Sequence, residues 1–438
     1  MINKEQRLKW YLNAFQEYQT KLNGESKKPL NTFRKESFEI LSKLNFPDKK
    51  EEAWRFTDIS PILEHDFLPS FGSKEKLSKE DIYKSSFEFE EFNTVILQNG
   101  IYDAELSNIL DKKQLDVRLI SSAIEDKPEL LKSVIGKISD ESNNVFSNLN
   151  ASFLSDGLFI SVKKNTVVPH PLIILNVTSA GTELFSNPRT YISLEENSEL
   201  SLIEDYESKT GSVYLTNLVT EIQVGKSARL NHIKIQNESD KAFHISKNSV
   251  LLSRESNYSL YNLDFGGKLV RNDIELKFTD EYAECHLNGL YLTEGNQLVD
   301  NHTIINHAAP NCRSNELFKG VLSGNSRAVF SGKVFVNKIA QKTNAFQSNK
   351  NILLSESAKV DAQPQLEIYA DDVKCSHGAT VGQIDEEALF YLRSRGIGKE
   401  LALSSLIYAF ADDVVNKIQH ANVLEYVEQL IEKKLSDK

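Results

Sequence analysis

The 438-residue sequence has little cysteine, one methionine and no long apolar run. Its three cysteines form no C-x-x-C pair and are too few for the disulfide framework of a secreted domain, so we interpret them as reduced thiols. No stretch approaches the roughly 20 apolar residues that span a bilayer. The charged N-terminus lacks the apolar segment of a signal peptide, and its acids argue against a transit peptide. We therefore expect a cytoplasmic protein that does not bind a membrane.

An excess of positive charge is also missing. The chain has 51 Lys and Arg against 62 Asp and Glu, a formal net charge of −11, which is the wrong sign for binding a phosphate backbone. We expect no nucleic-acid partner. Neither G-x-S-x-G nor G-x-G-x-x-G occurs, and Gly225-Lys226-Ser227 lacks the upstream glycine of a phosphate-binding loop because Thr220 stands there. The triplet predicts a turn, and we expect no site for nucleotide or acyl chemistry in the chain.

The first 155 residues combine helical and strand patterns. Apolar residues recur every three or four positions from Glu5 to about Asn23, which predicts an amphipathic helix. A second helix is expected after Pro29, ending before Pro47. Residues 1–155 are therefore predicted to form an N-terminal mixed α/β, largely helical domain. Its further predicted elements are a strand over Val95–Leu97 and helices over Lys127–Ile138 and Asn143–Leu154.

From residue 156 to 376 the pattern is almost entirely strand and turn. Short β-branched or alternating runs are separated by polar turns. A turn followed by a small residue and an apolar residue recurs at intervals close to 30 residues, which favours stacked coils over a conventional sandwich. We predict a mainly β protein built on a parallel β-helix. The repeat begins at Asn197, Ser227, Tyr282, Ser326 and Ser357, and the predicted strands include Leu158–Val162, Leu172–Val177, Thr190–Leu194, Leu200–Glu204, Val219–Val224 and Leu230–Ile235.

A helical pattern returns after Asp385, which is a plausible N-cap for a helix from Glu386 through Arg393. Gly396 stands just past its end, where a left-handed backbone is needed. Two longer amphipathic helices are predicted to follow. Residues 377–438 are therefore expected to form a C-terminal helical domain.

The pair Cys375 and His377 is the strongest candidate for chemistry. In an extended segment, residues two apart point to the same side, so a thiolate and an imidazole could face one ion or cluster. Two ligands do not complete a metal site. The alternative interpretation is that Cys375 is a small buried apolar residue and that His377 belongs to a turn.

Other candidate ligands are weaker. Cys285 and His286 are adjacent, so on a strand they point to opposite sides. The spacing of His302, His307 and Cys312 matches neither a zinc knuckle nor a helical metalloprotease pair, which favours interior polar positions. The neighbouring acids Asp371 and Asp372 would diverge on a strand, so they are a poor match for paired glycosidase carboxylates.

Residues 300–397 contain long, specific words, including DNHTIINHAAPNCRS, VFSGKVFVNKIAQKTNAFQSNKNILLS and DDVKCSHGATVGQIDEEALFYLRSRGI. This run resembles the SufB/SufD family of iron-sulfur cluster assembly proteins, and more closely its SufD branch. The stretches KKEEAWRFTDI and NPRTYISLEENSELSLIEDY are similar to the family more loosely. The SufB branch would have an acid after the histidine and a cysteine before RSRG, where Gly378 and Leu392 stand here.

The resemblance implies a central right-handed parallel β-helix between an N-terminal α/β or helical region and a C-terminal helical domain. It also implies pairing with a SufB-like paralogue, or with a second copy, through the β-helix, and docking of a SufC-like ABC ATPase through the C-terminal helices. The expected function is a non-catalytic scaffold subunit. The alternatives are an autonomous homodimeric scaffold and, from another class, a carbohydrate-active β-helix enzyme.

By the same resemblance, His377 is expected to be an iron or cluster ligand shared across the dimer, with Cys375 beside it. The cluster or iron would be bound transiently and not tightly by the isolated chain. An interface can collect ligands from two chains when each chain has too few. The residues expected to dock the ATPase are Phe390, Arg393, Arg395, Leu403, Ile407 and Phe410.

Overall fold

The computed structural model describes residues 4–22, 29–69, 77–83, 91–130, 135–138, 141–179 and 183–436. The helices are α1 (Lys4–Lys21), α2 (Pro29–Leu41), α3 (Ser60–Leu63), α4 (Lys79–Tyr83), α5 (Ile120–Asp126), α6 (Val145–Ser152), α7 (Glu386–Ser394), α8 (Lys399–Val415) and α9 (Ala421–Ser436), with a 3₁₀ turn at Glu52–Trp54. The strands are β1 (Leu68–Pro69), β2 (Asn93–Gln98), β3 (Ile101–Asn108), β4 (Leu115–Leu119), β5 (Leu158–Val162), β6 (Leu172–Thr178), β7 (Leu184–Ser186), β8 (Arg189–Leu194), β9 (Glu199–Ser208), β10 (Tyr214–Val224), β11 (Arg229–Asn237), β12 (Phe243–Leu252), β13 (Asn257–Asp264), β14 (Leu269–Phe278), β15 (Glu284–Thr293), β16 (Leu298–His307), β17 (Arg313–Leu322), β18 (Arg327–Val336), β19 (Asn344–Leu353), β20 (Lys359–Ile368) and β21 (Lys374–Gly382).

Two long sheets form a parallel β-helix in which successive strands alternate between the sheets. Sheet 1 has the order β20-β18-β16-β14-β12-β10-β8-β5-β4, and sheet 2 has the order β21-β19-β17-β15-β13-β11-β9-β6-β2-β3. Among the described strands, only the pairs β2–β3 and β4–β5 are antiparallel, and both lie at the first end of the solenoid. The predicted mainly β fold with a parallel β-helix and flanking helices is confirmed.

A left-handed turn residue sets the period of the coils. In six successive coils, a non-glycine residue with φ between 53° and 62° stands two positions before a sheet 2 strand. The amide of this residue often bonds to the next coil, as from Asn197 to the Lys226 carbonyl at 2.9 Å. Such a backbone is uncommon outside glycine, so its recurrence marks a geometry that the coils share. These residues are Asn197, Ser227, Glu255, Tyr282, Asn311 and Lys342.

The repeat predicted from the sequence mixes the two turns of each coil. The words beginning at Asn197, Ser227 and Tyr282 precede sheet 2 strands, whereas those at Ser326 and Ser357 precede β18 and β20 of sheet 1. The period close to 30 residues is right because one coil contains both turns. The predicted turn at Gly225-Lys226-Ser227 joins β10 to β11.

Three apolar layers hold the molecule together. The interior between the sheets is filled by alternate strand residues such as Leu230, Leu260 and Phe330. The N-terminal helices bury Tyr11 and Phe15 in a cluster that includes residues of β10, β12 and β14. Helices α8 and α9 cover the outer face of sheet 2. Apolar side chains are therefore buried on both faces of the sheets, which explains why many strands contain long runs of buried residues.

The KKEEAWRFTDI segment is attached to sheet 1 by a buried ion cluster. Arg271 on β14 bonds to Asp300 on β16 and lies 3.8 Å from the centroid of the Trp54 ring. Thr57 donates to the same carboxylate. Burial opposes ionisation of Asp300, but the charges of Arg271 and His302 lower its pKa to about 2.

Some predicted boundaries differ from the structure. The helix predicted over Lys127–Ile138 falls partly outside the described residues, and its described part consists mainly of turns. The predicted start of the helical domain at residue 377 falls within β21, because pairing with β19 continues the solenoid to Gly382. The helix with the Asp385 N-cap begins at Glu386 as predicted, and Gly396 has φ +89°. The described helices include no segment with the length and hydropathy of a membrane span.

Candidate functional site

The last coil of the solenoid is the most exposed part of the two sheets. Strand β20 pairs only with β18, and β21 pairs only with β19, among the described strands. Eight of the nine residues of β21 are exposed. Large apolar side chains are also exposed here, including Tyr369 at 59% and Val381 at 49%. An open strand edge with apolar neighbours is a surface that another chain can pair with.

Cys375 and His377 both lie on β21 in the extended backbone expected from the sequence. Cys375 is half-buried and packs against the apolar interior, so its alternate neighbour His377 is directed toward the same side of the strand. His377 itself is exposed. Burial raises the pKa of the Cys375 thiol, which disfavours the thiolate that binds metals. His377 is therefore the more available ligand in this chain.

The pair does not form a closed metal centre. Within the described part of the chain, no group of three or more His, Cys, Asp or Glu residues is arranged to hold a metal ion. Any ion or cluster at Cys375 and His377 would need ligands from another molecule. The open edge of β21 is where such a molecule could approach.

The remaining cysteines and histidines lie elsewhere. Cys285 is fully buried in the interior, whereas His286 points outward to Glu284 at 3.2 Å, so the two diverge as predicted. His307 bonds to Ser314 at 2.9 Å, and burial lowers its pKa to about 3. His302 does not occupy the predicted interior position: it lies on the outer face, with its Nε2 2.9 Å from Asp300 Oδ1.

Sequence reasoning missed a charged cluster inside the solenoid. Glu204 bonds to His232 at 2.8 Å, and Glu238 bonds to His244 at 2.7 Å. Lys234 donates to the side chain of Asn272 at 2.6 Å. The charged groups pair with one another or with neutral side chains, which indicates a structural network. The alternation along each strand places these residues on the inward face. Many other inward positions are apolar, so the pattern does not indicate charged residues there.

Sequence reasoning also missed two polar side chains below His377. Glu316 on β17 pairs in register with Gln347 on β19, which pairs in register with His377. Gln347 Nε2 donates to Glu316 Oε2 at 2.6 Å. Burial raises the pKa of Glu316 to about 7. The signal in the sequence was weak, because these residues are a full coil apart.

The residues expected to dock an ATPase fall into two groups. Phe390 is 73% exposed, and Arg393 and Arg395 are exposed near the end of α7. Ile407 is only 1% exposed because it packs between α8 and sheet 2. Leu403 and Phe410 are half-buried against the same cluster. Within this arrangement, a partner can reach the first group directly, whereas Ile407 holds the helices to the solenoid.

Helix α8 is also fixed to the solenoid by polar contacts. Lys319 on β17 donates to the Phe410 carbonyl at 2.7 Å and forms an ion pair with Asp413 at 2.5 Å. Its ammonium lies 4.4 Å from the Phe410 ring centroid. A force applied to the C-terminal helices would therefore act on strands close to β21.

The fold and the site together define a class: parallel β-helix proteins with helical units on the outer faces and an open last coil that presents a Cys–His pair. Comparison with known proteins identifies the family. Residues 176–410 match the SufBD core domain of the SUF system for FeS cluster assembly, and residues 5–174 match the SufBD protein N-terminal region. The chain belongs to the SufBD family, which confirms the resemblance seen in the sequence.

Two curated relatives show how far the similarity extends. The chain is 31% identical to an iron-sulfur cluster assembly SufBD family protein of Synechocystis sp. over 432 residues, covering 96% of this chain and 94% of the relative. It is 30% identical to the iron-sulfur cluster assembly protein SufD of Escherichia coli over 390 residues, covering 88% of this chain and 89% of the relative. The similarity therefore includes both outer helical regions and the solenoid.

Proposed function

We propose that this chain is a SufD-type, non-catalytic and cytoplasmic subunit of an iron-sulfur cluster assembly scaffold. It pairs through its last coil with a SufB-like paralogue and docks a SufC-like ABC ATPase through its C-terminal helices. At the shared interface, His377 contributes a ligand to iron or to a nascent cluster. The cargo is held transiently and leaves for an acceptor protein.

The observation that supports this proposal most directly is the position of His377 on an exposed, unpaired strand. One histidine and one partly buried thiol cannot enclose a cluster. A second chain aligned along β21 would bring its own ligands next to His377 and would cover the exposed apolar residues of the last coil. Separation of the two chains would remove half of the ligands and release the cargo.

The ATPase part of the proposal is supported by the exposed surface of α7. Phe390 and the neighbouring arginines offer an aromatic and charged patch of the kind that often dominates protein interfaces. Because α8 is anchored on β17, two docked states of the ATPase with different contacts would move the helices against the solenoid differently. The chain needs no nucleotide site of its own for such coupling.

Anaerobic purification of the tagged chain with its partners, followed by mass spectrometry, tests the proposed assembly. We expect a paralogue richer in cysteine and an ABC ATPase in stable ratio. His377→Ala should keep both partners while lowering the activity of iron-sulfur enzymes in the cell. Ser376→Ala is the matched control because Ser376 is exposed on the opposite side of the same strand.

Each result separates the proposal from its alternatives. Unchanged cluster assembly in His377→Ala would exclude the ligand role. A chain that purifies as a homodimer and assembles a cluster by itself would favour the autonomous scaffold. Recovery of the chain alone, without a partner or a cluster, would contradict the scaffold function.

Docking is tested by a change that leaves the buried helices intact. Deletion of residues 386–438 would expose the apolar face of sheet 2, so its effect on binding would be hard to interpret. Phe390→Ala should instead weaken copurification of the ATPase by roughly 30-fold in affinity, equivalent to a hot-spot loss of about 2 kcal/mol. Gln429→Ala on α9 is the exposed control. Equal ATPase recovery from both variants would place docking elsewhere.

A further inference from the structure

A column of three side chains leads from the interior of the solenoid to His377. Glu316, Gln347 and His377 are directly paired across the neighbouring parallel strands β17, β19 and β21. Directly paired residues of parallel strands point to the same side, and neighbouring strands lie about 4.8 Å apart. Gln347 is therefore the side chain immediately below His377 in the stack.

The hydrogen bond between the lower two residues orients the Gln347 amide. Gln347 and Glu316 are 4% and 3% exposed. The amide NH₂ faces Glu316, and Nε2 donates to Oε2 at 2.6 Å. The other end of the amide, Oε1, is buried and has no hydrogen-bond partner among the described residues. The Gln347 side chain thus has an acceptor without a partner, on the strand that pairs with β21.

The opposite sheet leaves space for this arrangement. A Cβ atom on Gly332 of β18 would lie 2.2 Å from Gln347 Nε2. Any larger residue there would displace the amide. A buried carboxyl group held by few donors also costs free energy, and such groups are more frequent at functional sites than elsewhere.

We propose that Gln347, held in place by Glu316, is the positioning residue of His377. Its Oε1 accepts a hydrogen bond from one ring N–H of His377, which fixes the tautomer and leaves the other ring nitrogen free to bind iron. Histidine ligands commonly donate their second N–H to such an acceptor. In the isolated chain the ring is exposed, and a partner covering the last coil would exclude water from this contact. The inference rests on the proposed ligand role of His377.

The first test removes the Gln347 Oε1 acceptor while keeping a side chain of similar size. Gln347→Met, produced with its natural partners, should lower iron-sulfur enzyme activity in the cell by about 10-fold, the smaller end of the effect of removing an outer-shell partner. In the purified full-length assembly, ¹⁵N NMR should show His377 changing from one tautomer to a mixture. Asn349→Leu is the control for loss of a buried polar side chain, because Asn349 is also buried and hydrogen-bonded but pairs with Ala379 instead of His377.

An exchange of donor and acceptor distinguishes positioning from a structural role. Gln347→Glu alone places two carboxyl groups together and should impair assembly. The double variant Glu316→Gln/Gln347→Glu restores a donor opposite an acceptor and still offers oxygen to His377, so it should regain activity and one tautomer. Failure of the double variant to improve on Gln347→Glu would overturn the proposal, as would an unchanged tautomer in Gln347→Met.

These outcomes are distinct from failure of the proposed function. If His377→Ala impairs cluster assembly and Gln347→Met does not, the positioning role is wrong and the ligand role stands. If His377→Ala has no effect, the ligand role itself is wrong, and the positioning role is overturned with it.

Discussion

The two ends of the solenoid are built differently. At the first end, which we call the closed end, β3 and β4 are the outermost strands and are antiparallel to their neighbours; none of the five residues of β4 and three of the eight residues of β3 are exposed. At the last end, β20 and β21 continue the parallel pattern and stop, and eight of the nine residues of β21 are exposed. An exposed strand edge can pair with another chain. The last end, which we call the open end, is therefore the more accessible of the two.

Buried charge follows the same division. Near the first end, Arg189 on β8 is fully buried and bonds to Glu221 at 2.7 Å and to Glu141 at 2.6 Å. At the last end, Arg327 on β18 and Asp361 on β20 form an ion pair at 2.5 Å, but their side chains are 38% and 26% exposed. The charge of Arg189 can be compensated only by its buried partners, whereas water can solvate Arg327 and Asp361 if their ion pair is broken.

The largest expected loss of stability comes from the closed end. Glu221→Ala leaves the buried Arg189 with one carboxylate and also removes the acceptor of the Gly136 amide, at 2.9 Å. Breaking a buried ion pair costs about 3–5 kcal/mol, because an uncompensated charge stays buried. Calorimetry should show a large fall in the unfolding temperature. A fall no greater than that of a surface variant would show that this end does not depend on the pair.

An intermediate effect is expected from Glu316, inside the solenoid below the open end. Its pKa is about 7 in the folded chain, above the usual 4.5, because burial disfavours the charged form. The folded state therefore holds the proton more tightly, and this contribution to stability is complete below pH 4.5 and is lost as the pH rises through 7. Over this pH range, the free energy of unfolding of the parent should fall by roughly 3 kcal/mol relative to Glu316→Gln, at 1.36 kcal/mol per pKa unit.

The measurement for Glu316 is the unfolding temperature of both proteins from pH 4 to pH 8. The difference between the two curves isolates this group from the other titrating residues. Parallel curves would mean that the Glu316 carboxyl has an ordinary pKa and is hydrated in the folded protein.

The smallest effect is expected on the last coil itself. Asp361→Ala removes an ion pair that is partly exposed, and such pairs contribute about 0–1 kcal/mol. The unfolding temperature of the isolated chain should hardly change. A fall in unfolding temperature comparable to that of Glu221→Ala would show that the last coil contributes as much to stability as the closed end, which would contradict the proposed difference between the two ends.

The sequence predicts the strands better than the contacts between them. Alternation and β-branched residues locate runs such as Leu158–Val162 correctly, and the period close to 30 residues indicates stacked coils. Register is harder, because each coil has two turns of variable length. The column of Glu316, Gln347 and His377 becomes visible only when the coils are aligned.

The apolar pattern of a helix also does not show which surface covers its apolar face. The apolar positions of α8 show that one face is buried, but not whether sheet 2 or a partner covers it. The structure places Ile407 against sheet 2 and leaves Phe390 on α7 exposed. The pair of Cys375 and His377 could be predicted as facing one side, because alternation on a strand is a local property.

Hydrogen exchange of β4 and β21 in the chain alone and in the purified assembly tests the central claim most directly. We predict that the amides of Lys374–Gly382 that do not bond to β19 exchange quickly in the isolated chain and become protected in the assembly, whereas the exchange of Leu115–Leu119 is the same in both. Unchanged exchange of β21 in an assembly that contains the other subunits would contradict it, because the open end would then not be the surface through which the chains pair.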